Sequence, residues 1–164
     1  MFFHHPPIKR AGIILHDWNW LVFGIDAVHQ EMTDFGGGVK ANEHPWQAAL
    51  RELKEETLGL VQLTLDDLRA SIPVQHGHVL VLFVDVSHLG GLAWLCQRYQ
   101  QIVSQQKEEA KPYEVDRMVA INLHNFHHCL VRYPKIYDLI LPLVLQGVFY
   151  LTQRQRYIST MHIQ

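Results

Sequence analysis

Three glutamates, Glu52, Glu55 and Glu56, fall within five positions of one segment, RELKEET, from Arg51 to Thr57. At about 100° per residue they share a helical arc of roughly 100°, beside an apolar stripe of Trp46, Ala49, Leu50 and Leu53. Like charges at these spacings cost roughly 0.2 to 0.5 kcal/mol per pair, and Arg51 and Lys54 alone stand close enough to offset them. A solvated helix face tolerates that cost. Clustered carboxylates also have a chemical use, because their oxygens are hard ligands for divalent cations. Such ions turn the repulsion of a polyanionic substrate into attraction and stabilise charge as a P–O bond breaks.

The residues upstream favour the chemical use. Five residues separate Gly37 from Glu43 and seven separate Glu43 from Arg51. GGVKANEHPWQAALRELKEE thus reads as glycine, five residues, glutamate, seven residues, then Arg-Glu-aliphatic-any-Glu-Glu. This resembles the signature box of the Nudix hydrolases and matches it at every fixed position from Gly37 to Glu56. It departs at the exit, where the pattern's glycine falls on Leu58 and Gly59 is displaced by one.

The resemblance implies a hydrolase that cuts a phosphoanhydride bond in a nucleoside diphosphate linked to another group, dependent on Mg2+ or Mn2+. Nucleotides, nucleotide sugars, dinucleoside polyphosphates and RNA caps all remain open as substrates. It implies Glu52, Glu55 and Glu56 as metal ligands, with the Gly37 carbonyl as a further one, and Glu43 and Arg51 as residues that orient loop and helix. The general base is Glu52 or Glu56 within the box, or Glu114 in KPYEVDRMVAINL beyond it, where Asp116, Glu108 and Glu109 compete. The alternative is a catalytically inactive Nudix-fold module that binds nucleotide, since a fold does not by itself carry a function.

These residues need elements to position them. Two apolar runs, Ile13 to Leu15 and Leu21 to Ile25, flank the turn signal Asp17-Trp18-Asn19 and predict a hairpin. Phe35-Gly36-Gly37-Gly38 predicts a tight loop or ligand cradle. Pro45 suits the first position of a helix over about 45–58, with Gly59 as its stop. Val61 to Thr64 and His78 to Val86 read as strands, the second apolar enough to lie at the centre of a sheet. Leu92, Leu95, Tyr99, Ile102 and Val103 predict a helix over about 91–109, expected to border the substrate pocket or a dimer interface. Val115 to Leu123 reads as another strand. The tail predicts a helix over about 134–155, kinked at Pro142, that packs on the sheet or forms a homodimer contact. By resemblance the whole is a single α/β domain over 1–164, an α/β/α sandwich with a mixed central sheet.

Composition narrows the partners. With 14 basic and 16 acidic side chains among 164 residues, the chain carries no broad field to attract long nucleic acid. A local groove from Arg98, Lys107, Lys111, Arg117, Arg154 and Arg156 stays open. Trp18, Trp20, Phe35 and Tyr113 are the aromatics that could stack on a base. Cys96 and Cys129 make neither a disulfide framework nor a CxxC site, which suits a reducing, cytoplasmic setting. The run from Leu139 to Leu151 is too short to span a membrane and reads as a buried helix. The twelve histidines form small groups, of which His124 and His128 have helical metal spacing without the glutamate a zinc hydrolase needs; they read as surface or partner-satisfied side chains.

Overall fold

The computed structural model describes residues 6–106 and 114–163, those from 156 onward in backbone only. The described strands are β1 (Arg10–His16), β2 (Trp20–Asp26), β3 (Met32–Thr33), β4 (Phe35–Gly38), β5 (Ile72–His76), β6 (Val79–Asp85) and β7 (Val115–Asn122). The helices are α1 (Pro45–Glu56), α2 (Leu65–Leu68), α3 (Leu92–Gln105), α4 (Phe126–Cys129) and α5 (Leu141–Ile163).

The strands form one mixed sheet, with β1 parallel to β6 along its whole length, from Arg10 opposite Val79 to His16 opposite Asp85, and the other pairs antiparallel. Both β1 and β6 are buried on nearly every residue, as strands covered on two faces must be. Alternation then sorts the side chains. Ala11, Ile13, Leu15, Leu80, Leu82 and Val84 pack towards α1 and α3, while Ile14, Val81 and Phe83 pack towards α5. The result is the expected α/β/α sandwich.

The sheet is split at one end. β1 pairs with β2 only at Leu15 and His16, whereas Arg10 to Ile13 pair with β4. β2, lined along its other edge by β7, pairs with β3 at Gly24 and Ile25. β1 and β2 therefore diverge from their turn, and β3 and β4 fill the wedge between them.

Four expectations need correction. The glycine run is a strand, β4, held by β1, and not a loop. Val61 to Thr64 is not a strand: Val61 donates its N–H to the Thr57 hydroxyl at 3.2 Å, and Thr64 caps α2 in reciprocal hydrogen bonds with Asp67. The strand comes later, as β5, whose Pro73 is tolerated because β5 is the last strand of the sheet. The C-terminal helix starts at Leu141, after Ile136 bridges to Met32, which puts Pro142 in the first turn, where no intrahelical bond is lost and no kink follows.

α1 ends at Glu56 with Thr57 as its cap, and α3 ends at Gln105, the stretch expected to continue it to 109 lying outside the described residues. Among the described residues no helix is long and apolar enough to cross a membrane.

Candidate active site

Strand β4 and helix α1 form the first corner of the site. A Cβ built on Gly37 would stand 2.5 Å from Oε1 of Glu52, so glycine there is what lets the helix carboxylate lie against the strand. Arg51 ties the corner together. Its Nε and Nη2 donate to both carboxylate oxygens of Glu43 at 2.9 and 3.0 Å, Nη2 also reaches the Gly38 carbonyl at 3.0 Å, and Nη1 donates to Glu52 at 2.9 Å. The Arg51 hydrogen bonds, helped by the Lys40 N–H, hold the Glu43 carboxyl down to about 2. Glu43 and Arg51 thus brace the strand, the connection and the helix, where their sequence spacing put them.

Glu52, Glu56 and Glu114 converge, each offering an oxygen within 4.8 Å of the others. Glu52 and Glu56, one helical turn apart, are 9% and 7% exposed, deeper than the border position their arc predicts. Oε1 of Glu56 accepts the Gly36 N–H at 3.1 Å, while Oε2 is buried with no hydrogen-bond partner among the described residues. Burial above all, then the negative charges of Asp34, Glu52 and Glu114, push the Glu56 carboxyl up to about 10. Burial raises Glu52 too, against the pull of Arg51. Glu55 lies outside this cluster, 57% exposed, with a carboxylate oxygen 3.5 Å from Arg51.

A buried, orphaned carboxylate oxygen beside two further carboxylates fits a hard divalent cation, which supplies the missing electrostatic partner. Glu52, Glu56 and Glu114 are the side chains placed to hold one.

Glu114 is the one far from the box in sequence, and Tyr99 explains how it arrives. The Tyr99 hydroxyl, fully buried on α3, lies 2.6 Å from the Val115 carbonyl and 3.2 Å from the Glu56 carbonyl. It fastens the end of α1 to the start of β7, and the Ala27 N–H holds the Glu114 carbonyl at 2.9 Å from the other side. α3 therefore supports the site from behind and does not line it.

The second corner is the wedge. A cleft of about 630 Å³ opens there, lined at one end by Glu56, Glu114 and Gly36 and elsewhere by residues that include Arg10, Glu31 and Tyr137. Arg10 forks onto the fully buried Asp34 at 2.9 and 2.7 Å and lies against the Tyr137 ring, 5.9 Å from its centroid. Gly12 and Gly36 are obligatory here, since a Cβ on Gly12 would collide with the Asp34 carboxylate and one on Gly36 would come within 2.7 Å of the Gly12 backbone.

Comparison with known proteins bears on this geometry. The family model described as the NUDIX domain matches residues 9–129. The chain belongs to the Nudix family. Its members are hydrolases of phosphoanhydride bonds, and the matched residues include Glu52, Glu56 and Glu114.

Solved structures share the fold at low identity. A mutant of the Bacillus subtilis pyrophosphohydrolase BsRppH is 16% identical, with a TM-score of 0.52 over 94% of this chain and 85% of that one. The Francisella tularensis bifunctional NMN adenylyltransferase/ADP ribose pyrophosphatase, complexed with AMP and a Mn ion, is 16% identical, with a TM-score of 0.51 over 88% of this chain and 43% of its own. The E. coli ORF135 protein is 17% identical, with a TM-score of 0.50 over 90% and 92%. No curated protein matches the chain in sequence.

The displaced glycine of the Nudix box has a structural reading. Leu58, at the position where the pattern has glycine, takes φ +54°, and Gly59 takes φ +79°. The Gly59 N–H reaches back to the Lys54 carbonyl at 2.8 Å and Leu58 to Glu55 at 3.2 Å, a helix exit that ordinarily favours glycine at the first left-handed position. The turn is kept, and a leucine carries its strain.

Of the aromatics expected to stack on a base, none of the three described ones lines the cleft. Trp18 donates to Asp85 at 3.0 Å at the other end of β1, Trp20 opens β2, Phe35 is core, and Tyr113 lies outside the described residues. Tyr137 lines it instead, in a segment taken for helix. Arg98, Arg117 and Arg154 lie on three different elements, α3, β7 and α5, and Lys107, Lys111 and the Arg156 side chain are outside the description. Asp116 pairs with Arg117 at 3.3 Å, while Glu108 and Glu109 are also outside.

Proposed function

We propose that this chain hydrolyses a phosphoanhydride bond in a nucleoside diphosphate linked to another group, with Mg2+ or Mn2+ held by Glu52, Glu56 and Glu114. The observation that carries the reading is the buried, unpartnered Oε2 of Glu56 within that cluster, at the end of a cleft large enough for a nucleotide. The cation, when bound, polarises the phosphoryl oxygens and lowers the pKa of water. The protein does the rest. Gly37 lets Glu52 approach β4, and its carbonyl is proposed as a further ligand. Arg51 and Glu43 fix the helix against the strand, and Tyr99 sets the spacing between Glu56 and Glu114. Glu55 adds negative charge beside the site without joining the cluster.

Glu114 is the favoured base for the attacking water. It is the exposed member of the cluster, open to the solvent from which the attacking water comes. Glu52 and Glu56 are better suited to ligation. The substrate is proposed as a small nucleotide-type molecule handled in a cytoplasmic setting, consistent with free thiols at Cys96 and Cys129. Leu145, Phe149 and Tyr150, exposed on α5, support the homodimer contact expected from the sequence, which light scattering would reveal.

The test is a panel of nucleotides, nucleotide sugars, dinucleoside polyphosphates and capped RNA, assayed with each metal and with the products identified. Glu56→Gln is expected to lower turnover by on the order of 10²–10³-fold, because the cation's several kcal/mol of transition-state stabilisation depends on its ligands. Unchanged turnover would sink the metal assignment. Binding without turnover by the intact chain would favour the inactive module.

A further inference from the structure

We propose that Glu31 selects the nucleobase, and that the base it selects carries an exocyclic amino group. This rests on the nucleotide-hydrolase reading above and adds to it the substrate class that the cleft admits.

Glu31 precedes β3, and its backbone carbonyl accepts the Asp26 N–H at 2.9 Å. Strand alternation turns it away from the buried side of Met32 and onto the cleft wall, along with Thr33. Its side chain is 20% exposed, so most of it is enclosed, yet among the described residues its carboxylate has only the Lys135 ammonium nearby, at 3.4 Å. A carboxylate can accept about four hydrogen bonds, and an enclosed one with spare capacity is a receptor for donors.

Apart from Glu56 and Glu114 of the carboxylate cluster, the other charged groups on the wall have partners within the chain. Arg10 is spent on Asp34, and Asp26 caps its own turn by accepting from the backbone and ring of His29. Val28, Val115 and Tyr137 add apolar and aromatic surface to the wall, beside the polar side chains of His29 and Thr33. A flat base needs apolar walls and one or two edge contacts, which this cleft provides. At that edge a carboxylate accepts an amino N–H and repels a carbonyl oxygen, so adenine and cytosine fit where hypoxanthine and uracil do not.

Matched pairs isolate the effect, because CTP and UTP, or ATP and ITP, carry equal charge and make equal metal demands. The amino member of each pair is expected to have the higher kcat/KM by roughly 10 to 100-fold. Its non-hydrolysable methylene analogue should bind more tightly by a similar factor in calorimetry. In Glu31→Gln both ratios should fall towards one. A wild-type ratio near one, a preference for the oxo member, or a ratio unchanged in the variant overturns the proposal. If nothing is turned over, the hydrolase reading fails alone, and the binding ratio still decides this one. Should the variant not fold, the wild-type ratios decide.

Discussion

The two corners of the cleft are built in different ways. At the β4–α1 corner, Gly37, Glu43, Arg51 and Glu52 belong to one continuous stretch, and their contacts follow from helical spacing and a short connection. At the wedge corner, Arg10, Asp34 and Tyr137 come from three separated segments, brought together by strand pairing and by the bridge of Ile136 to Met32. The arginines differ accordingly. Arg51 braces carboxylates that range from the buried Glu52 to the exposed Glu55, whereas Arg10 neutralises a carboxylate with no exposure at all. A motif records the first kind of corner. The second is recorded only in the fold.

The largest expected effect breaks the wedge corner. Arg10→Ala leaves Asp34 charged and buried without its partner, and should cost about 3–5 kcal/mol in denaturant unfolding. The paired change Arg10→Met with Asp34→Asn should recover much of that loss. A small loss in Arg10→Ala would mean that the corner tolerates an isolated charge.

The carboxylate cluster between the corners should show a pH dependence. Without a cation Glu56 holds its proton up to about 10, far above an unfolded carboxyl near 4.5, so between these values the folded chain binds more protons. Stability is then greatest at the acid end of that window and falls as pH rises, by up to about 1.4 kcal/mol per pH unit. Thermal unfolding of the metal-free protein from pH 5 to pH 9 should show this decline, and Glu56→Gln should flatten it.

Tyr99→Phe probes the fastening between α1 and β7. Losing a buried hydroxyl that serves two carbonyls should cost about 1–3 kcal/mol and lower kcat more than it raises KM, because Glu56 and Glu114 lose their fixed spacing. Steady-state kinetics beside an unfolding curve separates the two effects.

The smallest effect lies at the exit of α1. Leu58→Gly and Leu58→Ala lose the same packing, but only glycine relieves the positive φ, so the glycine variant should be the more stable by about 1 kcal/mol. Elsewhere in a helix that order is reversed.

Much of this architecture was legible in the sequence. The hairpin, the central β6, α1 and the box residues follow from period, turn chemistry and spacing, all of which are local. β5 was hidden because Pro73 reads as a breaker until the strand is known to lie at the sheet edge. Glu31, Arg10 and Tyr137 were missed because a charged residue at or just before the start of a strand and a tyrosine before a helix carry no local sign of facing a cleft. Tyr99 was seen only as one position in an apolar repeat. Its hydroxyl gains meaning when β7 arrives beside α1. Glu114 was legible as a candidate base, and its place in the cluster depends on that same long-range contact.

The central claim is that Glu56 helps to hold a divalent cation within the carboxylate cluster. Its most direct test is a titration of Mn2+ into the wild-type chain and into Glu56→Gln, followed by electron paramagnetic resonance of the free ion. The account predicts saturable binding to the wild type that Glu56→Gln weakens by at least about tenfold, the loss that even an outer-shell partner of a metal ligand causes. Equal binding by the two proteins would contradict it.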